Sequence, residues 1–198
     1  DSDALAAIEL DAQRLPERFH ARSADGVHDL LLRLGDLSRE ELGARAVPGL
    51  AAPAVADLVT ERRVLVVRVA GEERLIAVED AARYRDALGT PLPQGLPDSL
   101  LERSTDAVAD LVRRYARTHG PFTPADVAAR LGLGPAVVEA TLQRLANTGR
   151  VIEGEFRPGG HGREWCDAEI LRSLRRRSLA RLRQEVEPVE PQVLGRFL

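Results

Sequence analysis

The chain has 198 residues, 44% of them hydrophobic and 30% charged, with a net charge of −3. That composition can bury a core, and the length allows one large domain or two small ones at roughly 100–200 residues each. The single cysteine, Cys166, excludes an internal disulfide, and no apolar run approaches the roughly 20 residues that cross a bilayer. The four histidines (His20, His28, His119, His161) lack metal-ligand spacing. No charged-then-apolar leader opens the chain, so a cytoplasmic protein without membrane contact is expected. All 28 basic residues are arginine, and there is no methionine even at position 1, as expected of a piece of a longer protein.

Residues 1–24 read as a connecting segment. A first helix carrying Leu30, Leu31 and Leu34 stops at Gly35. Ser38-Arg39-Glu40-Glu41 is a capping box that opens a second helix through Leu42 and Ala46. Val47-Pro48-Gly49 turns the chain into a third helix with Val55, Leu58 and Val59. Arg62 to Val69 and Arg74 to Val78 then form a hairpin around Ala70-Gly71-Glu72-Glu73, and a helix follows from Glu79 to Leu88. Thr90 to Pro97 holds three prolines in eight residues, a stiff, extended connector.

The order then repeats. Ser104 or Thr105 caps a helix with Val108, Leu111, Val112 and Tyr115 on one face, stopped by Gly120-Pro121. Thr123 caps a second helix, with Pro124 in its first turn and Asp126 completing a capping box. Gly134-Pro135 starts a third helix with Val138, Leu142 and Leu145, which Gly149 ends. Arg150 to Phe156 and Glu164 to Cys166 read as strands around a glycine-rich loop, and an arginine-rich helix runs from about Asp167 to Val186. Gly35, Leu37, Ser38 and Leu42 sit 85 positions before Gly120, Phe122, Thr123 and Val127, and the strands sit 87 apart. Three helices and a hairpin, twice, is the order of two winged helices. The expected fold is mainly α with small β-hairpins (α+β), as two tandem winged-helix domains joined by a Pro-rich linker. The boundaries are 1–24, 25–89, 90–98 (linker), 99–187 and a truncated next module at 188–198.

No phosphate-binding loop, nucleophile elbow or paired-histidine zinc motif is present, and Cys166 beside Trp165 reads as a packed strand residue. The remaining signal is charge. Residues 1–99 hold 12 arginines against 18 acids, and residues 100–187 hold 15 against 12. Contact with a polyanion therefore belongs to the second copy. Its third helix offers Thr141, Gln143, Arg144 and Asn147 to a groove, and Arg150 with the wing residues Arg157, His161 and Arg163 to phosphates. The first copy exposes Asp57 and Glu61 on its third helix and Glu72-Glu73 on its wing, which repel phosphates. It reads as a spacer or a protein-docking unit.

Several stretches resemble the C-terminal region of bacterial large helicase-related (Lhr family) proteins. These are Gly154 to Gly160, Glu164 to Asp167, Leu174 to Leu179 and Glu185 to Val189, with Val69 to Arg74, Ala77 to Ala82 and Tyr115 to Thr123. Gly195 to Leu198 looks like the start of the family's next module. The resemblance implies a fragment of an ATP-dependent 3′-to-5′ DNA helicase linked to repair, with ATP and Mg bound upstream and no cofactor here. It also implies neighbouring helicase domains, DNA and self-association into a homo-oligomer as partners. Related glycosylases use a Gln-x-Gln type motif, which has no match, since no two of Gln13, Gln94, Gln143, Gln184 and Gln192 lie two apart. The expected role is accessory DNA contact or domain assembly without catalysis of its own. The alternative is a protein-interaction or oligomerisation scaffold with no nucleic-acid contact.

Overall fold

The computed structural model describes residues 2–157 and 162–185. Helix α1 (Ser2–Ala12) precedes a first unit of α2 (Ala24–Leu34), α3 (Arg39–Gly43), α4 (Ala51–Thr60), β1 (Val64–Val69) and β2 (Glu72–Ala77). Helix α5 (Ala81–Leu88) leads to a second unit of α6 (Ala107–Thr118), α7 (Pro124–Leu131), α8 (Pro135–Asn147), β3 (Val151–Gly154) and β4 (Glu164–Asp167). Helix α9 (Ala168–Glu185) follows. Both hairpins are antiparallel, in registers Val64↔Ala77 and Val151↔Asp167. Each unit adds one short bridge to its second strand, from Leu37 to Leu75 and from Phe122 to Trp165. These are two winged helices in an α+β fold.

Local chemistry sets the helix ends. Ser38 and Glu41 form a reciprocal capping box, and Thr123 and Asp126 form its counterpart 85 residues on. Gly132 ends α7 in the left-handed region. Two expectations need correcting. Asp106, not Ser104 or Thr105, precedes α6, and its side chain makes no capping bond. The Ser104 amide instead donates to the Asp86 carboxylate at 2.9 Å. The connecting segment 1–24 also contains a helix, α1, whose Ile8 packs with Cys166, Ile170 and Leu171. Burial pushes the Cys166 thiol up to about 12, as for a packed, unreactive side chain.

The proline-rich stretch connects the units without parting them. Strand β1 alternates by face. Val64 points into the first unit's core, whereas Leu65, Val67 and Val69 join a core that also holds Phe122, Val127, Leu131, Leu142 and Trp165 of the second. On β2, Leu75 and Ala77 face the first core and Ile76 faces the second. The first hairpin thus sends apolar groups into both cores, although Val66 of β1 stays 41% exposed. Leu96 of the connector is buried in the shared core as well.

A polar seam reinforces this junction. On α7, Arg130 lies 3.1 Å from the Asp36 carboxylate and 2.6 Å from that of Glu41, both in the first unit. Its guanidinium also donates to the Asp36 carbonyl at 2.5 Å. Tyr84 donates to Asp36 and accepts from its amide, both at 2.8 Å. Burial and the Asp36 charge push the Tyr84 phenol well up, so it stays a donor. Buried Arg114 of α6 makes a two-point contact with Asp80, at 2.5 and 2.9 Å. Gly35 sits beneath these groups at φ +90°. A Cβ there would stand 2.9 Å from the Tyr84 hydroxyl and 3.0 Å from Arg114 Cδ, so only glycine fits.

The seam makes stability acid-sensitive. Burial pushes the Glu41 carboxyl up, but hydrogen bonds from Arg130 and Ser38 and the charges of Arg130 and Arg74 outweigh it, holding it at about 2. Burial lowers His119 to about 4, against a weaker upward pull from the Tyr115 carbonyl, which accepts from its Nδ1. Both folded values lie below the ordinary 4.5 and 6.5. Between folded and ordinary values the unfolded chain binds more protons, so stability falls as pH falls. Thermal midpoints are expected to decline from about pH 6.5 as unfolded His119 takes up protons, and more steeply below about 4.5 as Glu41 joins. His119→Gln should flatten the first part of that decline only. Melting curves across this range check both.

Candidate nucleic-acid interface

Helix α8 is the third helix of the second winged helix, the one that enters a groove in standard docking. Pro135 opens it, and Val138, Leu142 and Leu145 fix its inner face. Gln143, Arg144 and Asn147 are exposed on the outside, beside Val137, Glu139 and Ala140. Thr141 is not among them: it is buried, and its hydroxyl donates to the Val137 carbonyl at 2.8 Å. Arg144 pairs with Asp106 at 2.9 Å, and Glu139 supplies a further negative charge. The outer face of α8 is therefore close to neutral.

The wing residues differ in availability. Arg157 is half-exposed but turned back onto its own unit. It donates to the buried Glu164 carboxylate at 2.9 Å and to the Pro121 carbonyl at 2.6 Å. That pairing compensates Glu164, so Arg157 holds the base of the hairpin. Arg163 is 82% exposed and makes one pair, with Glu153 at 3.2 Å. His161 lies outside the described residues, as do residues 188–198.

Arg150 is exposed at the turn from α8 into β3 and has no side-chain partner among the described residues. It stands at the opposite end of the second hairpin from Arg163, since Val151 pairs with Asp167 and Gly154 with Glu164. Five residue steps of hairpin put them about 17 Å apart along it. Arg150 instead lines a cleft of about 230 Å³ with Arg83, Asp110, Arg113, Arg114 and Arg117. The structure thus does not gather the predicted phosphate contacts on one wing. It draws Arg150 toward α5 and α6.

Arg113 and Arg117 escaped the sequence reading because α6 drew notice for its apolar stripe. Their signal was present: Asp110, Arg113, Arg114 and Arg117 follow helical spacing on the remaining face. At the first winged helix, Glu73 pairs with Arg39 and Glu72 with Arg74, while Asp57 and Glu61 are exposed on and just beyond α4.

A family model described as large helicase-related protein, winged-helix domain, matches residues 1–103. The chain is 42% identical over 198 residues to a protein of Mycolicibacterium smegmatis named Lhr helicase/probable uracil glycosylase. It is 34% identical over 200 residues to the Escherichia coli K12 protein named Lhr helicase/uracil glycosylase. Both matches cover all of this chain but only 13% of the relative. With two winged helices, a family match over just more than half its length and similarity along the whole of it, the chain belongs to the large helicase-related protein family.

Proposed function

We propose that this chain is an accessory unit of a large ATP-dependent DNA helicase, holding adjoining domains in fixed relation and adding DNA contact through the second winged helix. The observation that carries this reading is the shared core: β1 and β2 of the first winged helix pack into the second, so the two form one body. Helices α1 and α9 support it, lying side by side with an Asp11–Arg177 pair at 2.7 Å.

Arg150, with Gln143 and Asn147, and Arg163, whose side chain is 82% exposed beside Glu153, are the predicted groups most open to a nucleic acid, whereas Arg144 and Arg157 are more fully engaged by carboxylates. His161 belongs to the same proposed wing. ATP and Mg belong to the parent's upstream core, and DNA repair is the process served. The unit itself has no catalytic part in this reading.

The test is fluorescence anisotropy of the 198-residue chain with a labelled oligonucleotide over a range of salt. Weak binding is expected at low salt, falling steeply toward physiological salt as counterions are released. ATP hydrolysis by the chain should be absent. No DNA affinity even at low salt would leave the assembly role alone, the scaffold alternative.

A further inference from the structure

A cluster of arginines with few carboxylates lies away from the wing. Arg83 pairs with Asp80 and Asp110, Arg113 pairs with Asp110, and Arg114 pairs with Asp80, so two carboxylates occupy three guanidiniums. Arg117 and Arg150 line the same cleft with no hydrogen-bonded or ionic partner among the described residues. A second cavity of about 380 Å³ shares Arg117 and adds Arg33 of α2, which is likewise exposed and unpaired among the described residues. Asp29 is the one carboxylate lining that second cavity. Burial holds the Arg117 guanidinium below its ordinary value, with repulsion from Arg114, Arg113 and Arg33 against a partial offset from Asp167. The cations therefore lie close enough to feel one another.

We infer that these two adjoining cavities form a phosphate-binding track, from Arg33 through Arg117 to Arg150, that takes the phosphodiester backbone of a nucleic-acid strand across the junction of the winged helices. The inference rests on the DNA-contact reading above and moves the principal contact from wing to junction. Guanidinium forks suit phosphate oxygens. The charges come from α2, α6 and the α8–β3 turn, so the track exists only when the two units are packed together. Its unpaired groups are guanidiniums, which suit contact to backbone phosphates.

The experiment compares two variants of the 198-residue chain, using a fluorescein-labelled oligo(dT) of roughly 20 nucleotides at about 50 mM salt. Arg33→Ala/Arg117→Ala removes two track residues far from the wing, and Gln143→Ala/Arg163→Ala removes the exposed groove and wing groups. All four side chains are exposed, and unchanged melting confirms that both variants fold. The track variant should bind about tenfold more weakly, with its log–log salt slope shallower by about 1.4, or about 0.7 per lost single-strand contact. The wing variant loses one cation and should weaken binding less, about threefold, with a slope shallower by about 0.7. The reverse pattern would overturn the track while leaving DNA contact through the wing standing, and no binding by the parent chain would overturn both. Pyrophosphate should compete no better than sulfate at equal ionic strength. Saturable competition at micromolar pyrophosphate would reassign the cavities to a free polyphosphate and overturn the nucleic-acid inference.

Discussion

Trp165→Ala should lower stability by about 3–5 kcal/mol, the usual cost of emptying a large buried aromatic site. Trp165 is 1% exposed and is the largest fully buried side chain among the described residues. Its backbone exchanges hydrogen bonds with Phe122, N–H to O at 2.7 Å and O to N–H at 2.9 Å. Alanine keeps both bonds, so the loss isolates the indole. The indole belongs to the core that contains Leu65, Val67 and Ile76 of the first winged helix. Its removal should therefore destabilise the whole body, with a midpoint drop on the order of 10 °C for a chain of this size. Cys166→Ala is the matched comparison. Its site is equally buried but belongs to the small cluster of α1 and α9, and a sulfur is a smaller loss, about 1–2 kcal/mol. A Trp165 variant no less stable than the Cys166 variant would place the indole outside any shared core.

Arg114→Ala should cost a similar amount for a different reason. Asp80 is 2% exposed and Arg114 9%, and each satisfies the other twice. Removing Arg114 leaves Asp80 with Arg83 as its ion-pair partner among the described residues, in a site that water barely reaches. Breaking a buried pair from one side typically costs about 3–5 kcal/mol, because a charge is left without compensation. Arg83 remains, so the lower end of that range is expected. The double variant Asp80→Leu/Arg114→Leu should be less destabilised than Arg114→Ala alone, since it leaves no stranded charge. Chemical denaturation of the parent and the two variants makes the comparison, and a double variant no more stable than Arg114→Ala would show that no stranded charge sets the cost.

The local grammar of the fold was readable in the sequence. Ser38 with Glu41 and Thr123 with Asp126 announced two helix starts, and the constant offset between them announced a duplication, because caps and turns depend on neighbouring residues alone. Packing between the copies was not readable. Val64 to Val67 identified a strand, but the burial of Leu65, Val67 and Val69 depends on Phe122, Leu131 and Trp165, which arrive from far along the chain. The surplus of arginine in the second half was read as charge offered to a polyanion. Much of it is already used: Arg114 and Arg130 bind carboxylates at the junction, and Arg157 holds Glu164. A charge count cannot separate engaged from free guanidiniums, since pairing is set by tertiary approach. Arg150 is exposed, but its companions in space are Arg113 and Arg117 and not the wing arginines.

Scanning calorimetry of the 198-residue chain near neutral pH reads most directly whether the two winged helices are one body. A shared core and a charged seam make unfolding of either unit expose the other. One endotherm is therefore expected, with the calorimetric and van't Hoff enthalpies equal. Two resolved endotherms, or a van't Hoff enthalpy near half the calorimetric value, would mean that the units unfold independently and would contradict the account.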